Sequence, residues 1–135
     1  MKKLITLLLL AVSLSVFAES PVSQLELAVR EANVDCPFDL EDGLTITKLS
    51  TEANNVVYTC MVDEVATELT IEDMLIPEVN EVMKALLLES MQDTSDDDIN
   101  EFRNLVKQAR YNVVYRFINT NTGKKIDIKI YTNEL

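Results

Sequence analysis

Two cysteines, a run of aspartates and a complete lack of histidine bound the chemistry open to this sequence. Cys36 and Cys60 are its only thiols, and no histidine occurs in 135 residues. Without histidine and without a C-x-x-C spacing, zinc or redox duty is a weak reading. In an oxidising compartment such a pair predicts a disulfide between Cys36 and Cys60. Closing a loop of about 24 residues would stabilise the fold by roughly 3–3.5 kcal/mol in the chain-entropy model. The second candidate is Asp93-Thr94-Ser95-Asp96-Asp97-Asp98. Asp93, Ser95 and Asp97 fall at positions 1, 3 and 5 of a calcium-loop template. The template then fails, because Asp98 takes the glycine position and Asn104 stands where the bidentate glutamate belongs. The simpler reading is a cap: Ser95 or Asp96 satisfies the first N–H groups of the next helix, with carboxylates at its positive end.

Other chemistries lack their residues. Ser-His-Asp and Cys-His constellations need histidine. A phosphate-cradling loop needs several glycines, and Gly43 and Gly123 are the only two. The 23 acidic residues permit a carboxylate pair, but there is no Trp to line a glycan cleft. The expectation is a non-catalytic protein without a cofactor.

Compartment is read from the first residues. Lys2 and Lys3 precede an apolar run over residues 4–17, and Val16-Phe17-Ala18 suits signal peptidase. The apolar run is short for a membrane span of about 20 residues. A signal peptide over 1–18 and one domain over 19–135 are therefore expected, periplasmic or secreted, with no membrane association after cleavage. Residues 19–98 carry 20 acids against three bases, whereas residues 99–135 carry seven bases against three acids. An acidic body argues against nucleic acid, which needs a basic footprint.

These groups must be positioned by elements that the periodicity outlines. Ser23-Gln24-Leu25-Glu26 has capping-box form, and Leu25, Ala28, Val29 and Ala32 make a helical stripe ending near Asn33. Residues 44–49 and 56–62 read as a first hairpin, after an acidic connector from Cys36 to Asp42. Thr70 heads a short helical turn. Pro77 opens a helix in which Val79, Val82, Met83, Leu86 and Ser90 repeat at 3–4 spacing, widened by Leu87, Leu88 and Met91. That width predicts the most buried helix. The next helix turns Ile99, Phe102, Leu105, Val106 and Ala109 inward. Residues 111–132 form a second hairpin around Gly123, with Ile126, Ile128 and Ile130 on one face. Its other face carries Arg116, Lys125 and Lys129, a candidate interaction face. The fold class is α+β, with about four antiparallel strands in two hairpins and three main helices on one face, in the order α-β-β-α-α-β-β. Asn55-Val56-Val57-Tyr58 and Asn112-Val113-Val114-Tyr115 match, and are read as two similar strand solutions rather than a tandem repeat.

Asn33-Val34-Asp35-Cys36-Pro37, the Val56-Val57-Tyr58 strand and Thr122-Gly123-Lys124-Lys125 together resemble a group of small exported bacterial proteins. That group has Cys-Pro after its first helix and a Thr-Gly-Lys turn near its end. The resemblance implies a shared α+β fold and no activity to carry over. The functional expectation is a protein-interaction module of inhibitor, immunity or envelope-accessory type. The alternative is a small-ligand or calcium-binding module.

Overall fold

The computed structural model describes residues 20–135 apart from 42, 68, 69, 93 and 94. The leader at 1–18 and Asp93 thus lie outside the described residues. The chain runs α1 (Pro21–Asn33), β1 (Phe38–Glu41), β2 (Leu44–Glu52), β3 (Asn55–Val62), α2 (Ile71–Leu75), α3 (Pro77–Gln92), α4 (Asp97–Ala109), β4 (Asn112–Asn119), β5 (Lys125–Ile130) and a 3₁₀ turn at Thr132–Glu134. The strands lie side by side in chain order, and one core joins the sheet to all four helices.

The α+β class holds, but the sheet is not the expected four antiparallel strands. It has a fifth strand, β1, and β3 pairs with β4 in parallel, linked by the crossover through α2, α3 and α4. The two Asn-Val-Val-Tyr stretches meet at this joint, Asn55 opposite Asn112 and Tyr58 opposite Tyr115. The tyrosine rings stack at 5.0 Å, and Asn112 Nδ2 donates to Asn55 Oδ1 at 3.3 Å. Sequence identity across the joint therefore becomes a ladder of like side chains, an arrangement that parallel in-register pairing produces directly.

Tyr58, Cys60, Val113, Tyr115, Phe117, Ile128 and Ile130 point from the sheet into the core. Leu25, Ala28 and Val29 of α1 and Ile99, Phe102, Leu105, Val106 and Ala109 of α4 close it from above. Both tyrosine hydroxyls are pushed to higher pKa by burial, and Tyr115 OH has no hydrogen-bond partner among the described residues. An orphaned buried hydroxyl retains its desolvation penalty. Tyr115→Phe is expected to raise the unfolding free energy by about 1 kcal/mol, measured by urea denaturation; a loss of stability would show that the hydroxyl has a partner.

Helix ends follow their side chains. Ser20, not Ser23, caps α1, its Oγ accepting from Ser23 N at 3.2 Å while Pro21 takes the first helical position. Thr70 Oγ1 accepts from Asp73 N to start α2, and Asp96 Oδ1 accepts from Asp98 N and Ile99 N to start α4. Arg103 of α4 donates to the carbonyls of Met91 and Gln92 at 2.7 and 3.0 Å, closing the C-terminal end of α3.

The C-terminus is fastened to the same helix. Lys84 Nζ meets Glu134 Oε1 at 2.9 Å, and that oxygen also accepts from Tyr131 N at 2.9 Å. These donors, Lys84 foremost, hold the Glu134 carboxyl below its ordinary pKa. A lowered folded-state value means stability present above the ordinary carboxylate range and lost as pH falls through the folded value. Glu134→Gln should therefore melt earlier than the parent chain at neutral pH, with the gap closing on acidification and narrowing in high salt. A gap constant with pH would refute the coupling.

Candidate functional site

The cysteines are both free. Cys36 is half-buried and Cys60 buried, so the expected disulfide is absent. The reason lies in strand order. Cys36 leads into β1 and Cys60 sits on β3, with β2 between them: Phe38 pairs with Ile46, and Ile46 with Cys60. Alternate strands are separated by about 9–10 Å, whereas bridged cysteines need Cα atoms within about 7 Å. Burial raises the pKa of both thiols, that of Cys60 to about 12. Neither is therefore a nucleophilic thiolate at neutral pH.

The aspartate run is a helix start. Asp96 is the cap of α4, with Asp97 and Asp98 in its first turn. Ser95 and Asp97 flank that cap, and among the described residues no three His, Cys, Asp or Glu side chains gather to hold a metal ion.

The expected basic face lies on the side of the sheet that bears no helix. Arg116 is not available there as a free cation. Its Nε and Nη2 bind Asp127 of β5 at 2.9 and 3.1 Å, and its Nη1 binds Glu52 of β2 at 2.9 Å. Because β3 separates β2 from β4, this side chain crosses β3 near Val57. Val57 is 1% and Val114 5% exposed on a face without a helix, as an overlying aliphatic stem explains. Lys129 Nζ lies 5.1 Å from the Tyr131 ring, in cation–π range. Of the three residues, Lys125 alone is exposed without an ion pair among the described residues. Arg116 is thus a brace across the sheet.

A different surface stands out on α2 and α3. The helix expected to be the most buried buries only Met83, Leu87 and Met91 of its 16 residues. Val82 is 58%, Leu75 57% and Ile76 45% exposed. On α3 Val82 lies beside half-buried Val79 and Leu86, which pack on the edge of the core, and exposed Leu75 and Ile76 immediately precede that helix. Around these residues stand Glu72, Asp73, Glu78, Glu81 and Glu89, all exposed. Glu72 pairs with Lys124 at 3.2 Å, and Lys84, the only base in residues 71–92, is taken by Glu134. The 3–4 spacing already contained this surface, but spacing alone does not say which of two adjacent strips meets the sheet.

A scan against protein-family models finds no match, and a search of curated proteins finds none. Three solved structures share the architecture. A Pseudomonas aeruginosa protein assigned to the secreted class aligns over 84% of this chain and 91% of its own, at 13% identity and a TM-score of 0.64. The pilotin of the Vibrio vulnificus type 2 secretion system aligns over 84% and 94%, at 15% identity and a TM-score of 0.56. The Vibrio cholerae type II secretion system pilotin aligns over 85% and 95%, at 14% identity and a TM-score of 0.54. At these identities the likeness to the three structures is one of fold alone.

Proposed function

We propose that this chain is an exported, non-catalytic domain that binds a protein partner in the cell envelope, as an accessory to a secretion apparatus. The observation that carries this reading is the fold it shares, over 84–85% of its length, with two type II secretion system pilotins. The basic and apolar run at residues 1–18, ending in Val16-Phe17-Ala18, supports export. Thiols held protonated and histidine-free surroundings favour binding over catalysis. The fold likeness favours an envelope accessory over an inhibitor or immunity protein.

Cell fractionation with N-terminal sequencing tests export, with a periplasmic or secreted chain beginning at Glu19 expected. An unprocessed cytoplasmic chain would refute it. Affinity capture from envelope extract, washed in high salt, tests the binding role. Retention of a defined protein is expected, and an empty eluate counts against the reading.

A further inference from the structure

We infer that exposed Leu75, Ile76 and Val82, bordered by half-buried Val79 and Leu86, are the docking surface for a cationic amphipathic segment of a partner protein. This rests on the binding role proposed above and names the surface and the chemistry of what it takes.

Three observations converge. First, the apolar residues follow closely along the chain: Leu75 ends α2, Ile76 caps it, and Val79, Val82 and Leu86 lie at i, i+3 and i+7 of α3. Leu75, Ile76 and Val82 are exposed, while Val79 and Leu86 are half-buried at the edge of the core. Other large exposed apolar residues, such as Val34 and Val65, lie outside this run, and scattered single ones are ordinary on any surface.

Second, the rim is acidic and largely unneutralised. Residues 71–92 carry five acids and one base, and that base is engaged with Glu134. Asp73, Glu78, Glu81 and Glu89 have no cation within ion-pair distance among the described residues. A rim of this sign repels anionic lipid headgroups and attracts a basic polypeptide.

Third, the charges of α3 work against the isolated helix. Glu78 and Glu81 are like charges at i,i+3, which is unfavourable. Glu89 lies in the C-terminal part of α3, the wrong sign for its dipole, and the cation that serves that end, Arg103, comes from α4 rather than from α3 itself. Lysines or arginines flanking an apolar strip would relieve both defects while covering Val82 and Leu75. An amphipathic helix laid against an apolar strip has that form, its apolar anchors at i, i+3, i+4 and i+7.

Three synthetic peptides test the chemistry on the chain from residue 19: a leucine–lysine amphipathic helix, its leucine–glutamate counterpart, and a glutamine–lysine peptide of equal charge. Fluorescence anisotropy should show the first binding at least about tenfold more tightly than either other. The double variants Leu75→Asn/Val82→Asn and Glu78→Lys/Glu81→Lys should each weaken it by about tenfold or more. Thr59→Asn, on the helix-free sheet face, should leave it unchanged. Leu75 and Val82 are more than half exposed, Glu78 and Glu81 are exposed and Thr59 is half-buried, and circular dichroism verifies each fold. Equal binding of the glutamine–lysine peptide, or indifference to the two double variants, overturns the inference. A photo-reactive residue in place of Val82, and separately of Thr59, then locates the native contact in growing cells. An adduct from position 82 that Glu78→Lys/Glu81→Lys abolishes supports the inference. An adduct only from position 59 overturns the inference and leaves the binding role standing. The absence of an adduct from both positions overturns the inference, whereas the binding role is decided by the affinity capture.

Discussion

Asn119→Ala is expected to lower the unfolding free energy by about 3 kcal/mol. Asn119 is the one buried polar residue among those described, 6% exposed at the end of β4. Its Oδ1 accepts from the main-chain N–H of Asn121 and Thr122 at 2.8 and 3.1 Å, holding the loop between β4 and β5. Its Nδ2 donates to Glu64, whose other oxygen accepts from Ile71 N at 3.1 Å at the start of α2. One amide therefore ties the hairpin to the crossover. Alanine strands two loop donors and leaves the Glu64 oxygen without its donor. Asn119→Asp separates the two roles. It keeps the acceptor for the loop but places a carboxylate beside Glu64, so its deficit should shrink as pH falls through the carboxylate range. Urea denaturation measures both. A change of under about 0.5 kcal/mol for alanine, the size of an ordinary surface substitution, would refute the assignment.

Gly43→Ala should be as damaging, at about 2–4 kcal/mol. Gly43 has φ +84°, and an added Cβ would meet Asp63 O at 2.9 Å and Thr67 N at 3.1 Å. That carbonyl cannot easily retreat, because it accepts from both Ala66 N and Thr67 N, while Asp63 N donates to Gly43 O at 2.7 Å. Gly123 offers the control. Its φ is +75° with nothing within 4 Å of an added Cβ, so Gly123→Ala should cost only the backbone term of about 1–2 kcal/mol. Thermal melts of the two variants compare them, and equal losses would show that the close approach at Gly43 is tolerated.

Side-chain alternation made part of this fold legible. Ile128 and Ile130 are buried as their spacing predicts, Gly123 adopts the positive φ a short loop asks for, and all five inward residues of α4 are buried. Alternation is blind to strand direction, however. Val113, Tyr115 and Phe117 face inward whether the neighbour is parallel or antiparallel, so the pairing of β3 with β4 left no mark except two matching tetrapeptides. β1 was hidden because Phe38-Asp39-Leu40-Glu41 looks like a connector. Its backbone pairing with β2, and Thr45 Oγ1 donating to Asp39 at 2.8 Å, make it a strand. The burial of α3 was overestimated for a reason of the same kind. Val79, Val82 and Leu86 share their spacing with Met83 and Leu87, and only the packing of the helix makes Met83 and Leu87 the residues that meet the core. Arg116, read as part of a candidate interaction face, serves as a brace because its strand position faces Asp127 across β4–β5.

The parallel joint also has a consequence for how the chain can fold. β1 to β3 form a meander of near neighbours, and β4 with β5 forms a hairpin, so each half can assemble from local contacts. The seam between them joins residues 57 positions apart, Asn55 with Asn112 and Tyr58 with Tyr115. Closing a loop of that length carries an entropic penalty of about 3–4 kcal/mol, recovered only when the tyrosine stack and the helical layer arrive together. Two fragments divided between Ala66 and Thr70 would each retain one side of the seam. Mixed together, they should regain the native circular-dichroism spectrum at a rate set by their concentration, an assembly in two pieces of what the intact chain closes in one.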